Sequence, residues 1–255
     1  SRRRWIGLIQ TDGLTKRFAP PKRGLPEVVA VDNVSFEARP GEVFGLLGEN
    51  GAGKTTTLRL LSTILAPTAG TARILGYDIV KEPEQVRRLI GVVATDTGLY
   101  DRLTPRETLR YFGELNDVDR ATIERRSSEL FAKLQMEEYA DRRAGQLSKG
   151  TKQKVHVARA MISDPPVLLL DEPTAGLDVT SARAVDNFII EAKGLGKTIL
   201  FSSHIMSEVE KVCDRVAIIQ HGVLIVEGTL EELKGHKADA KFEDVFVRLL
   251  GEGQR

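Results

Sequence analysis

The sequence predicts an α/β fold with a largely parallel sheet, an antiparallel β portion and an inserted helical subdomain. Three observations predict it. Strand-like runs alternate with helical patterns, the arrangement that covers a parallel sheet with helices. One run, Val167–Leu170, is apolar throughout, as a strand covered on both faces must be. The stretch from about Thr104 to Met161 is charged and helical in pattern, and it divides a strand-rich first third from a strand-rich last third.

Each element follows from its residues. Ile9–Phe18 and Val28–Glu37 carry β-branched and alternating residues and read as strands. Between them, residues 19–26 hold Pro20, Pro21 and Pro26 and read as a loop, because proline has no N–H for a ladder. Val43–Leu47 is a short apolar run that ends in a glycine loop, and Lys54–Leu65 follows with a helical pattern. In the charged middle, Ile123, Leu130, Phe131 and Leu134 recur at helical spacing, which assigns them to the core. Thr198–Phe201 and Arg215–Val226 read as the last strands, with His221-Gly222 at a hairpin turn.

Composition narrows the class. The chain has 255 residues, 41% hydrophobic and 29% charged, the ordinary balance of a globular protein. A formal net charge of +1 supplies no bulk field for nucleic acid or acidic lipid, and no nucleic-acid partner is expected. One cysteine, Cys213, cannot form an internal disulfide and suits a reducing cytosol. No apolar run reaches the roughly 20 residues of a spanning helix, and the N-terminus has none long enough for a signal peptide. Any membrane spans are therefore expected from another polypeptide. Arg2-Arg3-Arg4 reads as a solvated tail.

The chemistry begins at Gly48-Glu49-Asn50-Gly51-Ala52-Gly53-Lys54-Thr55, followed by Thr56, which matches the P-loop pattern between a strand and a helix. Phosphates need several backbone N–H donors aimed one way, and glycine lets the chain curl close to the anion. The helix beginning near Lys54 adds its positive end. Lys54 supplies a cation for the β- and γ-phosphates, and the Thr55 hydroxyl is a ligand for Mg²⁺. Val167–Leu170 then leads into Asp171 and Glu172. Asp171 ends the strand where it can hold the magnesium. Glu172, one residue on, is the candidate to polarise an attacking water. ATP and Mg²⁺ are thus the expected cofactors.

At this point the chain resembles the ATP-binding subunits of ABC transporters, over about Ile9 to Val226. Leu147-Ser148-Lys149-Gly150-Thr151-Lys152-Gln153-Lys154 is similar to the family's signature motif. Asp171-Glu172-Pro173-Thr174-Ala175-Gly176-Leu177-Asp178 is similar to its Walker B motif and D-loop, and His204 matches the switch histidine. Phe18 stands where the family places an aromatic residue against adenine; core packing is the plainer alternative. The resemblance implies that Ser148 and Gly150 serve a nucleotide on a second copy. ATP would then join two subunits, a homodimer or a pair with a paralogous ATPase. His204 would hydrogen-bond the γ-phosphate. The implied domain division is 1–230 for the ATPase, with the helical subdomain at about 96–163, and 231–255 for a C-terminal helical extension.

Two departures stand out. Lys149 and Thr151 occupy positions where the signature has Gly and Gln. The Q-loop glutamine is missing from Ile90-Gly91-Val92-Val93-Ala94-Thr95-Asp96, so Thr95 or Asp96 takes its place, with Asp96 expected as the magnesium ligand. Residues 91–113 and the segment Phe242–Leu249 resemble ATPase subunits of sodium-exporting and daunorubicin-type ABC systems. That resemblance implies an exporter, a separate integral membrane permease and a peripheral position on the cytoplasmic face of the cell membrane. The other reading is a nucleotide-sensing regulatory module with weak ATPase activity.

Overall fold

The computed structural model describes residues 8–20, 26–94, 98–235 and 241–252. Strands β1 (Ile9–Phe18), β2 (Val28–Val34), β3 (Glu37–Ala38), β5 (Ala69–Ile74) and β6 (Tyr77–Asp78) form an antiparallel sheet, in order β2-β1-β5-β6 with β3 also on β1. The second sheet holds β4 (Val43–Leu47), β7 (Ile90–Val93), β8 (Val167–Asp171), β9 (Thr198–Ser203), β10 (Arg215–Gln220) and β11 (Val223–Thr229). Its order is β11-β10-β4-β9-β8-β7, parallel except for β11, which returns antiparallel on β10 through the His221-Gly222 turn. Both turn residues have positive φ, 49° and 82°, as a two-residue hairpin turn requires.

The central strands face two cores. In β4, Phe44 and Leu46 join one apolar cluster with Leu58, Leu60 and Leu61 of α1 (Lys54–Leu61). Val43 and Leu47, on the opposite pleat, join a second cluster with the helices beyond the sheet. β8 divides likewise, with Val167 and Leu169 on the first side and Leu168 and Leu170 on the second. This two-sided burial is why both runs are apolar without alternation. Gly45 lies between them because a Cβ there would stand 2.9 Å from Cys213 Sγ and from Val216 Cγ1. Burial pushes the Cys213 thiol up, which keeps it a packed, unreactive group.

Between β7 and its neighbour β8 the chain inserts α3 (Pro105–Leu115), α4 (Arg120–Lys133) and α5 (Lys149–Met161). Their starts are written locally. Thr104 and Glu107 form a capping box on α3, Asp119 caps α4 and Ser148 caps α5. Ile123, Leu130, Phe131 and Leu134 are buried in the second core, as their spacing predicted. α6 (Val179–Gly194), capped by Asp178, and α7 (Met206–Val212) complete that side. After α8 (Leu230–Leu233), α9 (Phe242–Glu252) packs on α7 and β11, burying Phe242, Val245, Phe246 and Leu250.

Three boundaries differ from the sequence expectation. The helix expected over Lys54–Leu65 ends at Leu61. Thr63 turns left-handed (φ 60°), and the Ile64 and Leu65 amides both donate to the Arg59 carbonyl, closing the helix end without a glycine. Val28–Glu37 divides into β2 and β3, with the Phe36 amide donating to the Thr11 hydroxyl instead of continuing the ladder of β2. β9 continues to Ser203, since Ser202 and Ser203 keep pairing with Asp171 and Leu47. β5, β6 and α2 (Pro83–Leu89) carried no reading from sequence.

Candidate active site

β4 ends at Leu47 between β9 and β10, so the loop 48–53 leaves the sheet at the carboxyl ends of parallel strands. Two glycines are required by close approach. A Cβ at Gly48 would stand 2.3 Å from the Ile219 carbonyl oxygen. Gly53 has φ 111°, and its Cβ would stand 2.5 Å from the Ala30 carbonyl oxygen. The loop is pinned from outside. The Ala52 amide donates to the Glu49 carbonyl (3.1 Å), the Gly222 amide to the Ala52 carbonyl (2.9 Å) and the Asp32 amide to the Gly222 carbonyl (2.8 Å). The ladder of α1 begins where the Thr57 amide donates to the Gly53 carbonyl (2.9 Å). The amides of Lys54, Thr55 and Thr56 therefore lie ahead of the ladder, at the positive end of the helix. Glu49 and Asn50 are exposed on the loop, and Gly51 has φ 83°.

Lys54 is buried, and its Nζ donates to the carbonyls of Gly48 (2.7 Å) and Glu49 (3.1 Å). It also lies 3.3 Å from Glu172 Oε1, and His204 Nδ1 lies 3.2 Å from the same oxygen. One carboxylate oxygen thus lies between the P-loop lysine and the histidine after β9. Glu172 adopts φ 46°, a left-handed conformation that costs a non-glycine residue about 1 kcal/mol or more. The strained turn is secured by its amide, which donates to the Ser202 hydroxyl (3.0 Å) and the Ser202 carbonyl (3.2 Å).

Asp171 is buried at the end of β8. Its Oδ1 accepts from the Thr55 hydroxyl (3.2 Å) and from the Ser202 hydroxyl (2.7 Å). The Thr55 and Asp171 oxygens are hard donors, so they fit Mg²⁺. Among the described residues no three His, Cys, Asp or Glu side chains cluster to hold a metal. Asp96 and Thr95, the expected Q-loop replacements, lie outside the described residues.

The remaining predicted residues lie apart from this cluster. Ser148 accepts from the Thr151 amide (3.1 Å) and exchanges a hydroxyl hydrogen bond with Thr151 (2.9 Å), so Thr151 completes the cap. Gly150 is wedged against α6, where a Cβ would stand 2.4 Å from Ser181 Oγ and 3.1 Å from Asp178 Oδ2. The Ser181 amide holds the Asp178 carboxyl below the usual range. Lys149 is exposed and lies over the backbone of Gly176. None of these partners belongs to the P-loop. Phe18 is exposed at the end of β1 beneath the Lys16 ammonium, 5.2 Å from its ring centre. Phe18 pairs with Val28, two residues from the Ala30 carbonyl that faces Gly53, so the two regions share β2. Ser202 and Ser203 were missed from sequence because the strand was read only to Phe201. The signal was present, since two serines directly precede His204.

Known proteins resemble this chain in sequence and in fold. Residues 31–175 match the family model of the ABC transporter. The chain is 44% identical over 247 residues to the ABC transporter ATP-binding protein NatA of Bacillus subtilis (strain 168), covering 96% of this chain and 99% of that one. It is 40% identical over 240 residues to the doxorubicin resistance ATP-binding protein DrrA of Mycobacterium tuberculosis (strain ATCC 25618 / H37Rv), covering 94% and 71%. A solved ATP-binding subunit of an ABC transporter superposes with a TM-score of 0.83 at 30% identity, over 95% of this chain and 99% of that one. The ATP-binding cassette MJ0796, a dimer in a post-hydrolysis state bound to ADP and Pi, superposes with a TM-score of 0.78 at 25% identity, over 87% and 98%.

Proposed function

The chain belongs to the ABC transporter family, and from that membership we propose that it is the ATP-hydrolysing subunit of an exporter of the sodium or drug type. In this reading two copies, or one copy and a paralogous ATPase, close on ATP and drive a separate integral membrane permease. The protein then sits peripherally on the cytoplasmic face of the cell membrane. Residues 1–230 form the ATPase domain, with the helical subdomain at about 96–163, and residues 231–255 form a C-terminal extension.

The observation that carries the reading is the shared contact of Glu172 with Lys54 and His204 at the mouth of the P-loop. Residues 48–56 bind the phosphates through backbone N–H groups, and Phe18 receives the adenine. Lys54 turns from Glu172 to the phosphate oxygens, which leaves the carboxylate to orient and deprotonate the attacking water. His204 donates toward the γ-phosphate and senses its loss. Thr55 and Asp171, with Asp96, would hold Mg²⁺, which neutralises charge on the β- and γ-phosphates when bound. Ser148 and Gly150 present the start of α5 to the nucleotide of the second subunit.

In this reading the permease docks at a cleft of about 440 Å³ between β7 and the helical insertion. It is lined by Ile64, Val92, Phe112 and Arg159, with exposed Tyr100 at its rim. Substrate selection then belongs to the permease, and relatives named for resistance to doxorubicin support the export direction.

The test is Glu172→Gln. It should bind ATP, lose turnover by about 10²-fold or more, and accumulate an ATP-dependent dimer by light scattering. Undiminished turnover refutes Glu172 as the base, and a strict monomer at high protein and ATP refutes a site shared between two subunits.

A further inference from the structure

The last turn of β9 carries a feature that the proposed chemistry leaves unused. Ser202 and Ser203 are consecutive strand residues, so their side chains point to opposite faces of the sheet. Ser202 serves Asp171 and the Glu172 amide. Ser203, also buried, serves the other side. Its hydroxyl donates to Glu208 Oε2 on α7 (3.0 Å) and accepts from the Ile205 amide (3.0 Å).

We propose that Glu208, acting through Ser203, is a positioning residue that sets the His204 imidazole against Glu172. This rests on the reading of His204 as a participant in hydrolysis. A hydroxyl has one proton to donate. Giving it to the Glu208 carboxylate fixes the rotor and aims the oxygen's lone pair at the Ile205 N–H. The clamp therefore grips the chain on both sides of His204, at Ser203 and at Ile205. The Glu208 amide donates to the Ile205 carbonyl (3.2 Å), which ties the same turn to the start of α7. His204 itself is 38% exposed, so its direction is set by this backbone more than by packing around the ring. The two serines thus hold the two partners of one 3.2 Å contact, Ser202 from the Glu172 side and Ser203 from the His204 side.

A misplacement of about 1 Å at a reacting group costs up to about 10²-fold in rate. Ser203→Ala and Glu208→Ala should therefore lower kcat for ATP by about tenfold to about a hundredfold. Binding of a fluorescent ATP analogue should stay within about twofold of wild type, because the P-loop is untouched. Glu208→Gln keeps an acceptor oxygen for the serine and should restore most of kcat; a role in mere folding would not separate kcat from binding in this way. Adding Glu208→Ala to His204→Ala should cause no further loss, since the clamp acts only through the ring. If Glu208→Ala does not fold, Ser203→Ala carries the same test. Wild-type kcat in Ser203→Ala alongside an inactive His204→Ala overturns the clamp and leaves the role of His204 standing. Full turnover in His204→Ala overturns both. Multiplicative losses in the double variant also overturn the clamp, because Glu208 would then act elsewhere.

Discussion

As the pH falls from 7 to 5, this fold should weaken at His156. It lies on α5, buried in the second core, and its Nδ1 has no hydrogen-bond partner. Burial, reinforced by the nearby Arg159 and Lys152, holds the imidazole down to about 4, against 6.5 in an exposed histidine. The sign follows from proton counting. Between these two values the unfolded chain binds a proton that the folded one refuses, so stability falls as the pH drops from about 6.5 toward 4. At about 1.4 kcal/mol per unit, the full gap is worth about 3 kcal/mol, of which about 2 kcal/mol is lost between pH 7 and pH 5. His156→Leu keeps the apolar volume and removes the titration. Urea unfolding followed by circular dichroism at pH 7 and pH 5 measures the difference. With an m-value of about 3 kcal/mol/M, the wild-type midpoint should drop about 0.7 M further than that of the variant. Equal pH dependence in the two proteins refutes the reasoning.

Three other outcomes are expected. Lys54→Ala removes the cation held by the Gly48 and Glu49 carbonyls, so ATP affinity should fall and phosphate release should drop by about 10²-fold or more, read in a phosphate assay. Ser148→Arg should leave ATP binding by one subunit intact yet abolish dimer closure; mixed with Lys54→Ala it should recover at most one working site per heterodimer. Asp186 on α6 is buried with Oδ1 unpartnered, and burial, with Glu208 nearby, raises its carboxyl despite Lys211. The raised group binds its proton better when folded, so wild-type stability declines as the pH rises through the carboxylate range. Asp186→Asn should therefore raise Tm at pH 7 by a few degrees, with the gain vanishing near pH 3; no gain at pH 7 refutes the assignment.

The sequence by itself determined what short-range chemistry determines. Gly48–Thr55 is legible because phosphate binding by a glycine loop needs those residues in one contiguous segment. The buried run of β8 is legible because two-faced burial removes alternation; the caps of α3, α4 and α5, though local hydrogen bonds, came from the structure. The antiparallel strands β5 and β6 were not legible. Their pattern is weak, and their register comes from strand pairing, of β5 on β1 and of β6 on β5. Tertiary structure decided everything that depends on parallel neighbours distant in the chain. Asp171 pairs with Ser202 across β8 and β9, and Leu47 pairs with Ser203 across β4 and β9. Those two registers bring Lys54, Glu172 and His204 onto one carboxylate oxygen from three separate segments. A one-residue slip in either ladder would turn the serines to the wrong faces, and no local spacing records which register holds.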